Sequence, residues 1–170
     1  MSKLLGLALV ALTFQPAQPP PAQPPPPPKP NCKAFQGGKC CDASIAAHLP
    51  KEAVYRACGA SEDSFLGEQG SKDTCRYFFK AEGGKPEDSF VQVYAPPTKQ
   101  VPSAPNDPFF TWKKLGKVFL ADKAKSPKAA AMVQGSIGLW MPGSGYFVTV
   151  NASTKVCSRK DATKLAAAMK

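Results

Sequence analysis

The sequence predicts an α+β fold: a small antiparallel sheet with short helices, stapled by disulfides and preceded by a disordered proline-rich segment. Three observations predict it. Six cysteines fall at 32, 40, 41, 58, 75 and 157, all beyond a proline-dense stretch. Runs rich in β-forming residues recur at 89–95, 137–141 and 146–150. Helix-start residues stand at Asp42, Pro50, Ser126-Pro127 and Ser158.

Residues 1–14 have the grammar of a signal peptide. Lys3 and the terminal amine supply a positive start, and Leu4–Phe14 is an apolar run of the usual length for such a signal. About 20 apolar residues are needed to cross a bilayer, so this run is too short and no transmembrane span is expected. The nearest small-x-small triplet for cleavage is Ala11-Leu12-Thr13, and Cys32 comes too late for a lipid-modified exit. Residues 15–31 hold ten prolines between Pro16 and Pro30, in a PAQPP-type repeat. Each proline fixes φ and removes a backbone donor. The expectation is a disordered polyproline II spacer, a semi-rigid rod of roughly 50 Å at about 3.1 Å per residue.

Residues 32–170 are expected to form a single domain, with a helical cysteine-rich half (32–88) and a basic, sheet-containing half (89–170). Six cysteines suit an oxidising compartment and three disulfides among Cys32, Cys40, Cys41, Cys58, Cys75 and Cys157. Adjacent Cys40 and Cys41 are too close to pair with each other, so they must staple two different directions. Five cysteines lie in 32–75 and one at 157, so complete pairing forces a bridge between the halves. Twelve of the fifteen possible connectivities remain open.

Asp42-Ala-Ser-Ile-Ala-Ala-His predicts a short helix capped by the Asp42 carboxylate. Pro50 suits the first turn of a second helix over 51–57. Ser89–Ala95 reads as a strand, and Ala95–Pro108, with five prolines, as a long surface loop. Ser126-Pro127 opens a helix over 128–134. Ile137–Met141 and Tyr146–Val150 flank Pro142-Gly143-Ser144-Gly145, a hairpin with a four-residue turn. Ser158-Arg159-Lys160-Asp161 is a capping-box pattern opening a C-terminal helix over 161–169.

Charge is unevenly distributed. Residues 32–108 hold nine Lys/Arg against ten Asp/Glu, whereas 109–170 hold eleven Lys/Arg against only Asp122 and Asp161. Ten of those eleven are lysines, which suits diffuse attraction to polyanions better than bidentate reading of phosphates or bases. The candidate binding residues are Trp112, Lys113, Lys114, Lys117, Lys123, Lys125 and Lys128, with Trp140 as a stacking group. Aromatics interleaved with lysines, as in Phe109-Phe110-Thr111-Trp112-Lys113-Lys114, can stack on rings while ammonium groups meet anions. The partners expected are a polyanionic surface, a cell-wall polymer or an acidic protein, and not sequence-specific nucleic acid.

Catalytic signatures are sparse. No C-x2-C pair accompanies the one histidine, His48, so the usual zinc ligand set is missing. There is no G-x-S-x-G elbow and no phosphate loop. Cys40 with His48 offers a nucleophile and base, and Glu62/Asp63 and Glu87/Asp88 offer carboxylate pairs, but a structural cysteine and solvated acidic turns explain them more simply. No cofactor or metal is expected, and a hydrolase ranks third among the functional readings.

The order of apolar leader, proline-rich spacer and basic α+β domain is similar to wall-spanning proteins that carry a SPOR-type peptidoglycan-binding domain. Phe90-Val91-Gln92-Val93, Tyr146-Phe147-Val148-Thr149-Val150 and the helix start at Ser158-Arg159 carry the resemblance, which implies a cell-wall glycan as ligand. The 95–108 insertion and the cysteine-bearing half lie outside that pattern. The sequence therefore predicts a secreted, periplasmic or cell-envelope protein, non-enzymatic, that binds an anionic partner through its basic half. The alternatives are a secreted inhibitor presenting the stiff 95–108 loop to a protease, and a cell-wall glycan-binding module.

Overall fold

A computed structural model describes residues 32–170. The signal-peptide (1–14) and spacer (15–31) expectations lie outside the described residues. Seven strands form one antiparallel sheet: β1 (Phe65–Gly70), β2 (Thr74–Phe79), β3 (Phe90–Tyr94), β4 (Phe110–Leu115), β5 (Val118–Ala124), β6 (Ser136–Pro142) and β7 (Phe147–Ser153). Their spatial order is β1-β2-β3-β7-β6-β5-β4. The helices are α1 (Ala43–Ala46), α2 (Lys51–Cys58), α3 (Pro127–Gly135) and α4 (Ala162–Ala168). This is the predicted α+β class, with the sheet as its dominant part.

The helix signals act as read. The Asp42 carboxylate accepts from the Ser44 amide at 2.8 Å, and the Ser126 hydroxyl accepts from the Ala129 amide at 3.2 Å. Pro50 caps α2, a position where its missing N–H costs nothing. At the start of α4 a 3-10 turn over Arg159–Asp161 intervenes, and the Ser158 hydroxyl donates to Asp161 Oδ2 at 2.9 Å. Lys164 also donates to Asp161, at 3.0 Å. These bonds, the lysine's first, hold the Asp161 carboxyl below its ordinary value.

Residues 32–88 are not a helical half. The hairpin β1–β2 occupies 65–79 and pairs Glu68 with Tyr77 and Gly70 with Cys75. Phe65-Leu-Gly-Glu-Gln-Gly shows no alternation and carries two glycines, so its strand character is imposed by tertiary pairing. Those glycines admit another stretch of backbone. A Cβ on Gly67 would meet Lys33 O at 2.8 Å, and one on Gly70 would meet Cys41 Cα at 2.6 Å. The stretch 33–41 therefore lies against β1, with Glu68 N–H bonded to Lys33 O at 2.8 Å and Gly70 N–H to Lys39 O at 2.7 Å. The segment 110–124, for which the sequence predicted no strand, folds as the hairpin β4–β5.

Strand alternation gives the sheet two unlike faces. One presents Cys75, Tyr77, Val91, Val93, Val148, Val150, Ile137 and Leu139 to Leu49, Val54 and Leu165 of the helical layer, forming the main core. Each large side chain buried there is worth about 1.5–3 kcal/mol. The other face carries Trp112, Phe119, Trp140, Phe147, Tyr94 and Arg76 by register.

Three disulfides hold this arrangement: Cys32–Cys40, Cys41–Cys75 and Cys58–Cys157. Cys40 and Cys41 diverge as their adjacency requires. The third bridge spans 99 residues and ties α2 to the segment between β7 and α4. Chain entropy assigns the closure of that span about 4–5 kcal/mol. The Cys32–Cys40 bridge, with a separation of 8, is worth about 2.5 kcal/mol by the same account. The paired substitution Cys58→Ser/Cys157→Ser should therefore lower the urea midpoint well beyond Cys32→Ser/Cys40→Ser, and equal losses would reject this ordering. Because folding lowers the Asp161 pKa, its contribution is present above the unfolded value, near 3.8, and is lost as pH falls through the folded one. Asp161→Asn should flatten the acid limb of stability measured by denaturation between about pH 2 and 5.

Candidate functional site

The hairpin β4–β5 turns at Gly116-Lys117 and forms the open edge of the sheet. It gathers the sequence-predicted lysines. Lys113 and Lys114 lie on β4, Lys117 in the turn, Lys123 on β5, Lys125 just beyond it, and Lys128 in the first turn of α3. All six are exposed. Lys114 pairs with Phe119 and shares a strand face with Trp112, whereas Lys113 pairs with Leu120 on the opposite face, so the cations flank both sides of the edge. Among the described residues the ion pairs are Lys155–Asp88 at 3.6 Å and Lys164–Asp161 at 3.0 Å, and neither involves these six lysines.

The two tryptophans have different fates. Trp140 is only 6% exposed, with Phe119 at 5.6 Å and Phe147 at 6.4 Å between ring centroids. It is packed within the aromatic face of the sheet. Trp112 is half-buried, with Phe110 set edge-on at 6.2 Å. Its Nε1–H is buried and has no hydrogen-bond partner.

The proline-rich loop runs along the same face as a strap. Pro97 bridges to Tyr146, and the Thr98 amide donates to Gly145 O at 2.9 Å. Further on, Pro102, Pro105, Asn106 and Asp107 line a cleft of about 300 Å3 with Trp112, Trp140 and Phe147 behind them. A second cavity of about 100 Å3, bounded by Met132 and Val133 of α3, shares Trp112 and Asp107 with the first. Asp107 Oδ1 accepts from the Phe109 amide at 2.6 Å, which fixes the strap where it enters β4.

Arg159, the lone arginine of the basic half, positions this end of the sheet. Its Nη1 donates to Val133 O at 2.9 Å and its Nη2 to Ala121 O at 2.9 Å. The fork thereby joins the last turn of α3 to the irregularity of β5 opposite Thr111/Trp112. Sequence reasoning passed over this residue; an isolated arginine among ten lysines was the available signal.

The catalytic candidates are otherwise engaged. Cys40 is disulfide-bonded, which removes the thiolate that a Cys40–His48 pair requires. His48 donates through Nδ1 to Lys170 O at 2.8 Å and rests beside Tyr146. Glu62/Asp63 and Glu87/Asp88 sit in exposed 3-10 turns. No protein family, curated protein or solved structure matches the chain.

Arg159→Ala should cost about 2–3 kcal/mol, the range for charge-assisted hydrogen bonds left unmade. Arg159→Lys should recover only part, because one ammonium cannot hold both sides. Chemical denaturation gives the totals, and faster amide exchange in 127–135 than in 51–58 would localise the effect.

Proposed function

We propose that the protein is an exported, non-enzymatic binding protein whose lysine-bearing sheet edge associates with an anionic polymer or acidic protein at an envelope or extracellular surface. The observation that carries this reading is the gathering of Lys113, Lys114, Lys117, Lys123, Lys125 and Lys128 on one hairpin and the adjoining helix start, exposed and without ion-pair partners among the described residues. Like charges held together repel one another, and a polyanion relieves that repulsion while releasing its counterions. The spread of ammonium groups over both sides of a strand suits a flexible polymer, where a fixed bidentate pocket would suit a single phosphate. Three disulfides are compatible with the oxidising compartment this role requires.

Binding to an anionic polymer should weaken steeply between about 50 and about 300 mM salt, since each neutralised charge contributes to the salt slope. Lys113→Glu/Lys114→Glu should weaken it further and reduce that slope, read by fluorescence anisotropy of a labelled polymer. Salt-insensitive binding, or a charge-reversed variant that binds as well as the parent, would sink the proposal.

A further inference from the structure

Cross-strand register sets Gln69, Arg76 and Gln92 side by side on β1, β2 and β3, on the sheet face away from the main core. Together with Gly70, Ser71 and Thr74 they line a cleft of about 310 Å3 at the β1–β2 turn. Two contacts hold Arg76 there. Its Nε donates to Gln92 Oε1 at 2.6 Å, and its guanidinium carbon stands 5.1 Å from the centre of the Phe90 ring. The planar fork is thus oriented before any ligand arrives. Among the described residues its Nη1 and Nη2 have no hydrogen-bond partner, and neither ion pair involves Arg76.

We infer that this cleft is a carboxylate-binding site, built separately from the lysine edge. The Arg76 fork offers two parallel N–H donors at the spacing of the two carboxylate oxygens. Around it the lining is neutral and rich in donors. Because Gln92 Oε1 accepts from Arg76, its Nε2 is left to donate, and the Ser71 and Thr74 hydroxyls can donate as well. Among the described residues no carboxylate lines the cleft, so a cationic ligand has no counter-charge there. An adjoining cavity shares Gly70 and Ser71 and adds Lys39 and Lys72 against Asp42, which keeps the surroundings net positive. A phosphate monoester carries a charge of about −1.5 to −2, whereas the cleft holds one cation, which a carboxylate matches one for one. β2 and β4 stand five strand positions apart, about 24 Å at the usual spacing of roughly 4.8 Å. That exceeds the screening length of about 8 Å at physiological salt, so the field of the lysine edge does not supply this site.

The test titrates the full chain with sodium succinate, sodium phosphate and, at matched ionic strength, sodium chloride, followed by proton–nitrogen correlation spectra. Succinate should shift the Arg76 Nε–H resonance and the amides of 69–76 along one saturable isotherm, and chloride should not. Arg76→Lys keeps the charge but not the fork, and should weaken succinate about tenfold. Gln92→Glu turns the Arg76–Gln92 bond into an internal ion pair, so stability should hold while succinate binding is lost. Lys113→Glu/Lys114→Glu should leave the response in place. A blocked tripeptide, acetyl-Ala-Glu-Ala-amide, run beside succinate separates a peptide side chain from a free acid as the source, by which of them saturates lower. Shifts no larger than those from chloride, or a Gln92→Glu chain that binds succinate as well as the parent, overturn the site. Phosphate binding as tight as succinate overturns the carboxylate assignment. Loss of the response in the lysine variant overturns its separation from the edge.

Discussion

The pairing of β3 with β7 is the joint on which the rest of the molecule depends. Val91 lies opposite Ala152 and Val93 opposite Val150, across some sixty residues of sequence. Without this pair the sheet falls into a three-stranded group, β1-β2-β3, and a four-stranded group, β7-β6-β5-β4. β7 is the last strand in the chain yet the central one in space. The sheet can close only when its C-terminal part has formed, and loop-closure entropy must be met before the pairing returns any free energy. The Cys58–Cys157 bridge acts on the same problem from the helical side, because it fastens α2 to the residues that follow β7. Packing of α2 against α4 then covers the joint. Backbone ladder, disulfide and helix pair all reinforce one long-range connection.

This topology also explains why a cleft exists at all. β3 is an interior strand and β4 an outer one, so residues 95–109 must travel across four strand positions, about 19 Å at the usual spacing of roughly 4.8 Å. The helices of the main core occupy one face, so the connection lies along the other. A glycine-rich connection would pay a large ordering entropy there, whereas prolines arrive with φ already fixed. They also lack N–H groups that would need partners against an aromatic surface. The strap does not seal that surface, and the space left beside Trp112 follows from laying a stiff, irregular chain over flat rings.

Local chemistry made about half of this legible in the sequence. Asp42, Pro50 and Ser126-Pro127 mark helix starts because capping is a contact between near neighbours, which residue type and spacing can specify. The β6–β7 hairpin was readable for the same reason. The β1–β2 hairpin was not, since the glycines of β1 are chosen for the close approach of 33–41, a contact about thirty residues away in sequence. β4 was hidden differently. An edge strand that carries lysines on both sides shows no alternation of apolar and polar residues, so its sequence resembles a surface loop. The lysines of the candidate site were therefore legible as charge but not as an edge. Trp112 and Trp140, equivalent by composition, were separated only by register, which put Trp140 between Phe119 and Phe147 and left Trp112 beside open space.

The two edges of the sheet are protected by unlike means, and the difference bears on what each can do. At β1 the backbone donors of Glu68 and Gly70 are taken by the carbonyls of Lys33 and Lys39, and the covering segment is pinned by Cys32–Cys40 and Cys41–Cys75. That edge is closed to any further strand. β4 has no covering segment among the described residues, and its protection is charge: a second copy approaching edge to edge would bring lysines against lysines. The same charges that forbid self-pairing invite a chain of opposite sign. An edge guarded by a covalent loop is inert, whereas an edge guarded by like charge is selective. The cleft bordered by Trp112 lies beside this charge-guarded edge, on the strand face that also carries Lys114.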